Sequence, residues 1–77
     1  RSFERIAECP TSVKTIKKML SQHGVKQCNI LAKGINEKSA VWHSKLKTKD
    51  GGKFYLFILG REIHKAILTR FISYSAF

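Results

Sequence analysis

A small α+β domain, built as a mixed sheet with two helices in the order β-α-β-α-β-β, is the fold this sequence predicts. Three observations lead there. The stretch "PTSVKTIKKMLSQHG" carries apolar residues at helical spacing, and "KFYLFILG" is an apolar run of strand length directly after a double glycine. The chain has 77 residues, which supports one domain over 1–77 and a thin core. Helices packed on one face of a small sheet are the economical way to bury such elements.

The opening "SFERIAEC" mixes apolar and charged residues without clean alternation, so Phe3, Ile6 and Ala7 predict a short edge strand. Pro10 bars helix before it, and the hydroxyl of Thr11 or Ser12 is expected to accept a bond from a first-turn amide. Val13, Ile16, Met19 and Leu20 then form one apolar stripe, and Gly24 stands where a left-handed residue ends a helix. "QCNILAKGI" gives a short strand through Asn29, Ile30, Leu31 and Ala32, stopped near Gly34.

In "NEKSAVWHSKLKTK", Asn36 is the expected cap, Glu37 suits the positive helix end, and Trp42 with Leu46 forms an inward i,i+4 pair. Lys45, Lys47 and Lys49 crowd the end of this helix, where the dipole favours cations. "DGG" is turn chemistry. Residues 53–59 follow as an inner strand. Phe54, Leu56 and Ile58 face one way and Tyr55, Phe57 and Leu59 the other, a pattern expected of a central strand or one buried on both sides. The chain reverses around Gly60 to Glu62, and "HKAILTRFISY" returns as the hairpin partner. Repeats, linkers and low-complexity segments are absent from the sequence.

Lysine and arginine number 15 against five acids, for a net charge of +10. Self-repulsion on that scale destabilises a compact chain unless an anion is near, and nucleic acid is the first candidate, ahead of a membrane surface. No apolar run approaches the ~20 residues of a membrane span. The seven lysines expected to contact nucleic acid are Lys14, Lys17 and Lys18 on the first helix, with Lys45, Lys47, Lys49 and Lys53 around the second helix and its turn. A helix dipole accounts for lysines at one helix end, but not for the set on the first helix.

The remaining chemistry is sparse. Cys9 and Cys28 have neither CxxC nor zinc spacing, and reduced thiols in the cytoplasm are the simpler account. His23, His43 and His64 are not at ligand spacing with one another or with cysteine, so no metal is expected. His43 and His64 with Lys47 would supply a ribonuclease-like acid and base, yet nothing in the spacing selects them. The "DGG" turn follows a helix and precedes a strand, the reverse of a phosphate-binding loop. Tyr55, Phe57 and Trp42 are rings that could stack on bases; Trp42 is expected in the core with Phe54 and Leu56, whereas Tyr55 is open to either role. Opening at Arg1 rather than Met, the chain reads as a piece excised from a longer one.

Taken in order, these elements resemble a family. Ile16-Lys17-Lys18, Gly24 with Lys26, Asn29-Ile30, Lys45-Leu46-Lys47, Lys49 to Gly52 and Tyr55-Leu56-Phe57 follow the pattern of the THUMP-like domain at the C-terminus of certain bacterial class I S-adenosylmethionine-dependent methyltransferases. The resemblance runs from about Phe3 to Ile72. Trp42 stands where that family has an aliphatic residue, Thr48 replaces an apolar one, and the tail "ISYSAF" has no counterpart.

The resemblance implies an accessory module that presents RNA to a catalytic methyltransferase domain elsewhere in the same chain. S-adenosylmethionine would then belong to that parent chain, with no cofactor and no catalytic residue in these 77 residues. Two alternatives compete: a structural domain packed on the catalytic part without touching RNA, and an independent small basic nucleic-acid-binding protein such as a ribonuclease.

Overall fold

The computed structural model describes residues 2–35, 38–60 and 63–73. Its elements are β1 (Ser2–Pro10), α1 (Val13–Gln22), β2 (Asn29–Lys33), α2 (Ser39–Leu46), β3 (Phe54–Gly60) and β4 (His64–Ser73). Class and element order are those read from the sequence. The strands lie side by side as β1-β4-β3-β2. β3 and β4 pair antiparallel, with Gly60 opposite His64, while Arg61 and Glu62 of the reversal lie outside the described residues. β2 runs parallel to β3, with Ile30 opposite Leu56. Parallel neighbours need a crossover, and α2 supplies it. β1 closes the other edge antiparallel to β4, so α1 carries the chain from one edge of the sheet to the opposite one.

Both helices cover the same face. Ile16, Met19 and Leu20 of α1 and Trp42 and Leu46 of α2 meet Ile30, Leu56, Ile58, Ala66 and Leu68 of the sheet in one core. Successive strand residues point to opposite faces, and residues opposite in register share a face. Tyr55 with Thr69, and Phe57 with Leu31 and Ile67, therefore point away from the helices. β3 is central as expected, but burial on both sides is corrected. Leu56 and Ile58 are fully buried, whereas Tyr55, Phe57 and Leu59 are only half-buried because neither α1 nor α2 covers their face.

β1 shows why its sequence lacked alternation. The register slips between Arg5 and Ala7, so Ile6 is an extra residue. Such a bulge reverses the in–out phase of a strand. Phe3 consequently lies with Phe71 on the open face, while Ile6 and Ala7 pack toward the core.

Helix ends also depart in part from expectation. Ser12 is the N-cap of α1 in an extended conformation, but neither hydroxyl caps the helix. Thr11 Oγ1 instead donates to the carbonyl of Leu59 at 2.8 Å, tying the helix entry to β3. At the C-terminus Gly24 is left-handed (φ 66°), and its N–H reaches the Ser21 carbonyl while that of Val25 reaches Leu20. This paired closure satisfies two orphan carbonyls and buries Val25 against the core. α2 begins at Ser39 with Lys38 as N-cap, and the expected cap Asn36 and Glu37 lie outside the described residues. Among the described residues no helix is long and apolar enough to cross a membrane.

Candidate nucleic-acid interface

The lysine-rich turn is stitched to the start of β2. Lys49 and Gln27 form a parallel bridge, with the Cys28 N–H donating to the Lys49 carbonyl and the Lys49 N–H to the Lys26 carbonyl. Gln27 Nε2 donates to the Asp50 carbonyl at 2.9 Å, and Asn29 Nδ2 to the carbonyls of Gly52 and Phe54. The Gln27 side chain lies so close to Gly51 and Gly52 that a Cβ on Gly51 would sit 3.1 Å from Nε2. Both glycines have positive φ, which explains the residue type twice over.

This arrangement gathers cations from four separate segments. Lys17 of α1, Lys26 of the α1–β2 loop and Lys47 at the end of α2 line a cleft of about 230 Å³ floored by Leu20, Val25 and Leu46. Lys26 and Lys53 line an adjoining groove of about 390 Å³, with Gly24, Val25, Gln27, Gly52 and Phe54. Val25 and Lys26 belong to both hollows, so the run Lys17, Lys47, Lys26, Lys53 is continuous.

Other expected residues stand apart from it. Lys14 and Lys18 are exposed on α1 but line neither hollow. Lys45 Nζ lies 5.5 Å from the centroid of the Trp42 ring, a cation–π distance. Lys49 is fixed through its backbone bridge. Helix α2 stops at Leu46, so Lys45 lies in the last turn and Lys47 and Lys49 beyond it. Lys26 was not among the expected contacts, because a loop residue leaves no periodic signal.

Among the described residues, two of the three carboxylates lie away from the hollows and the third, Asp50, is in the turn beside His43. Glu8 pairs with Arg5 and Lys65, and Glu4 with Arg70, all on β1 and β4. Asp50 Oδ1 stands 3.5 Å from His43 Nε2, and His43 Nδ1 shares a 2.8 Å hydrogen bond with Thr48 Oγ1. Among the described residues no ion pair engages Lys14, Lys17, Lys18, Lys26, Lys47, Lys49 or Lys53. Helix α1 has no acidic residue in its first turn and no basic residue in its last, so its lysines gain nothing from the dipole. Lys14 and Lys18 also repel at i,i+4 spacing.

Among the described residues no group of three His, Cys, Asp or Glu is placed to hold a metal. Burial pushes the Cys28 thiol up to about 11, against a lowering hydrogen bond from Thr48 and a raising contribution from Asp50, so it is no nucleophile at neutral pH. Thr48, the departure from the family pattern, thus holds both His43 and Cys28. Trp42, the other departure, is a core residue whose Nε1 has no hydrogen-bond partner among the described residues.

Comparison with known proteins fits this architecture. The sequence matches the THUMP domain-like family over residues 1–71. Among solved structures, the crystal structure of a candidate methyltransferase from Porphyromonas gingivalis W83 superposes with a TM-score of 0.70 at 20% identity. The match covers 92% of this chain and 18% of that one, so this chain spans about a fifth of its neighbour's length. No curated protein matches the chain. With the family matched over nearly its whole length, the chain belongs to the THUMP domain-like family.

Proposed function

We propose that this chain is an accessory domain that holds RNA for the catalytic part of an S-adenosylmethionine-dependent methyltransferase. The strip from Lys17 through Lys47 and Lys26 to Lys53 is its contact with the RNA backbone, flanked by Lys14, Lys18, Lys45 and Lys49. One observation carries the reading: four segments of the chain bring to one continuous hollow lysines whose side chains form no ion pair among the described residues and repel one another. Phosphate supplies the missing counter-charge, and such contacts position a nucleic acid without reading its bases. Membership of the family and the likeness to a methyltransferase five times as long support the accessory role.

The hollows do not suit S-adenosylmethionine. A sulfonium repels Lys17, Lys26 and Lys47, and the carboxylate nearest another cleft, Glu4, is already held by Arg70. The cofactor in this reading belongs to the catalytic part. The free thiols Cys9 and Cys28 accord with a reducing, cytoplasmic setting.

Photo-crosslinking of a 4-thiouridine oligonucleotide, mapped by mass spectrometry, tests the assignment. Crosslinks are expected in residues 14–26 and 45–53, whereas crosslinks confined to β1 and β4 would contradict it.

A further inference from the structure

The face of the sheet opposite the helices carries an aromatic cluster that no element among the described residues covers. Phe3 stands edge-on to Tyr55, Phe57 and Phe71, with ring centroids 5.1, 6.4 and 5.5 Å away. Phe3 is 39% exposed and Leu31, beside Phe57, is 47% exposed. Thr69, also on this face, is almost fully buried and donates its hydroxyl to the Tyr55 carbonyl, so its centre is already free of unsatisfied polar atoms. At one end of the cluster Arg5 and Lys65 share the single carboxylate of Glu8 in ion pairs.

This is the anatomy of a protein interface, an apolar centre with a satisfied polar rim. It is not that of a nucleic-acid platform, which needs unpaired cations beside its rings. Lys33, two residues beyond Leu31 and opposite Leu59, is on this face in no ion pair among the described residues, but it stands at the end of β2, whereas the lysines that line the two hollows gather on the helix side. Four strands at ~4.8 Å spacing and about seven residues at ~3.3 Å give a patch on the order of 400 Å². Covered by a partner, it would bury roughly 800 Å² in total, within the ~600–1,500 Å² typical of contacts between domains of one chain. The solved neighbour places this fold within a chain about five times as long, which supplies such a partner.

We infer that the open sheet face, centred on Phe3, Phe57 and Leu31, packs against the catalytic part of the longer polypeptide. The inference rests on the accessory-domain reading and adds its geometry. The sheet face anchors the domain, so the lysine face is turned outward to RNA.

Carbene footprinting of the natural polypeptide that carries residues 1–77, normalised to the same polypeptide denatured, tests this. Within the domain alone Phe3, Leu31 and Val41 of α2 are similarly exposed, at 39%, 47% and 41%. If the sheet face is covered, Phe3 and Leu31 label at least fivefold less than Val41. Equal labelling overturns the inference. So does protection that grows with protein concentration, which would mean a second copy, or protection that appears only with added oligouridylate, which would mean RNA stacking. Failure of the accessory reading shows separately, as a natural polypeptide that does not bind S-adenosylmethionine in calorimetry.

Discussion

Lys17 on α1 and Lys47, the left-handed residue that ends α2, line the same cleft although each belongs to a different helix. Lys47 has φ 57°, and it is the one residue other than glycine with positive φ among the described residues. A left-handed conformation costs an L-residue about 1–2 kcal/mol, and glycine is the usual occupant of such a helix end. In the proposed reading, the place of the Lys47 charge in the cleft is what retains lysine at this strained position.

Lys47→Gly should therefore stabilise the domain by about 1 kcal/mol while weakening RNA binding. In a domain of this size that is a rise of roughly 4 °C or more in Tm. Lys47→Ala keeps the strain and should leave Tm within a few degrees, with the same loss of affinity. Thermal melts beside RNA titrations check both halves, and a lower Tm for the glycine variant would contradict the strain argument.

Gly60 ends β3 against Ile35. A Cβ there would overlap Cγ1 of Ile35 and approach the Gly34 carbonyl oxygen to 3.3 Å. Gly60→Ala is expected to destabilise by about 1–3 kcal/mol, as overpacking does. Adding Ile35→Ala opens the space, so the double variant should lose less than the two single losses summed. Urea denaturation of the set measures the coupling.

The Cys28 thiol supplies a pH-dependence. Its ordinary value of 9.0 is raised by burial to about 11 in the folded chain. Because the folded value lies above the unfolded one, the contribution is fully present below pH 9 and is lost as pH rises toward 11. Cys28→Ala removes this group and leaves every other titration in place. Between pH 9 and 10.5 the parent chain should lose roughly 1 kcal/mol more stability than the variant. Parallel loss in both would show that burial does not hold the thiol protonated.

Much of this was legible before the structure. The α1 stripe of Ile16, Met19 and Leu20 was readable because helical periodicity repeats often enough in ten residues to be distinctive. β3 was readable because a seven-residue apolar run after two glycines has few other uses. The bulge at Ile6 was not, since an extra residue erases the alternation by which a strand is recognised. Nor was the open second face of β3. Tyr55, Phe57 and Leu59 are as apolar as residues under a helix, and a sequence does not say whether their cover comes from the same domain. The cleft is a similar case. Lys26 and Lys53 meet through the contacts of Gln27 and Asn29 with the turn at 49–52, contacts that no local pattern announces.

The central claim is that the lysine strip binds RNA backbone, and its most direct test is affinity against salt. For single-stranded RNA, log affinity falls by ~0.7 per neutralised phosphate for each log unit of salt. The parent chain should bind weakly, with little sequence preference, and lose affinity steadily as salt rises. Changing Lys17, Lys26, Lys47 and Lys53 to Gln should leave the fold intact and flatten the slope by roughly one unit for each one or two contacts removed. An unchanged slope in the folded variant would contradict the account and return these lysines to an ordinary solvated surface.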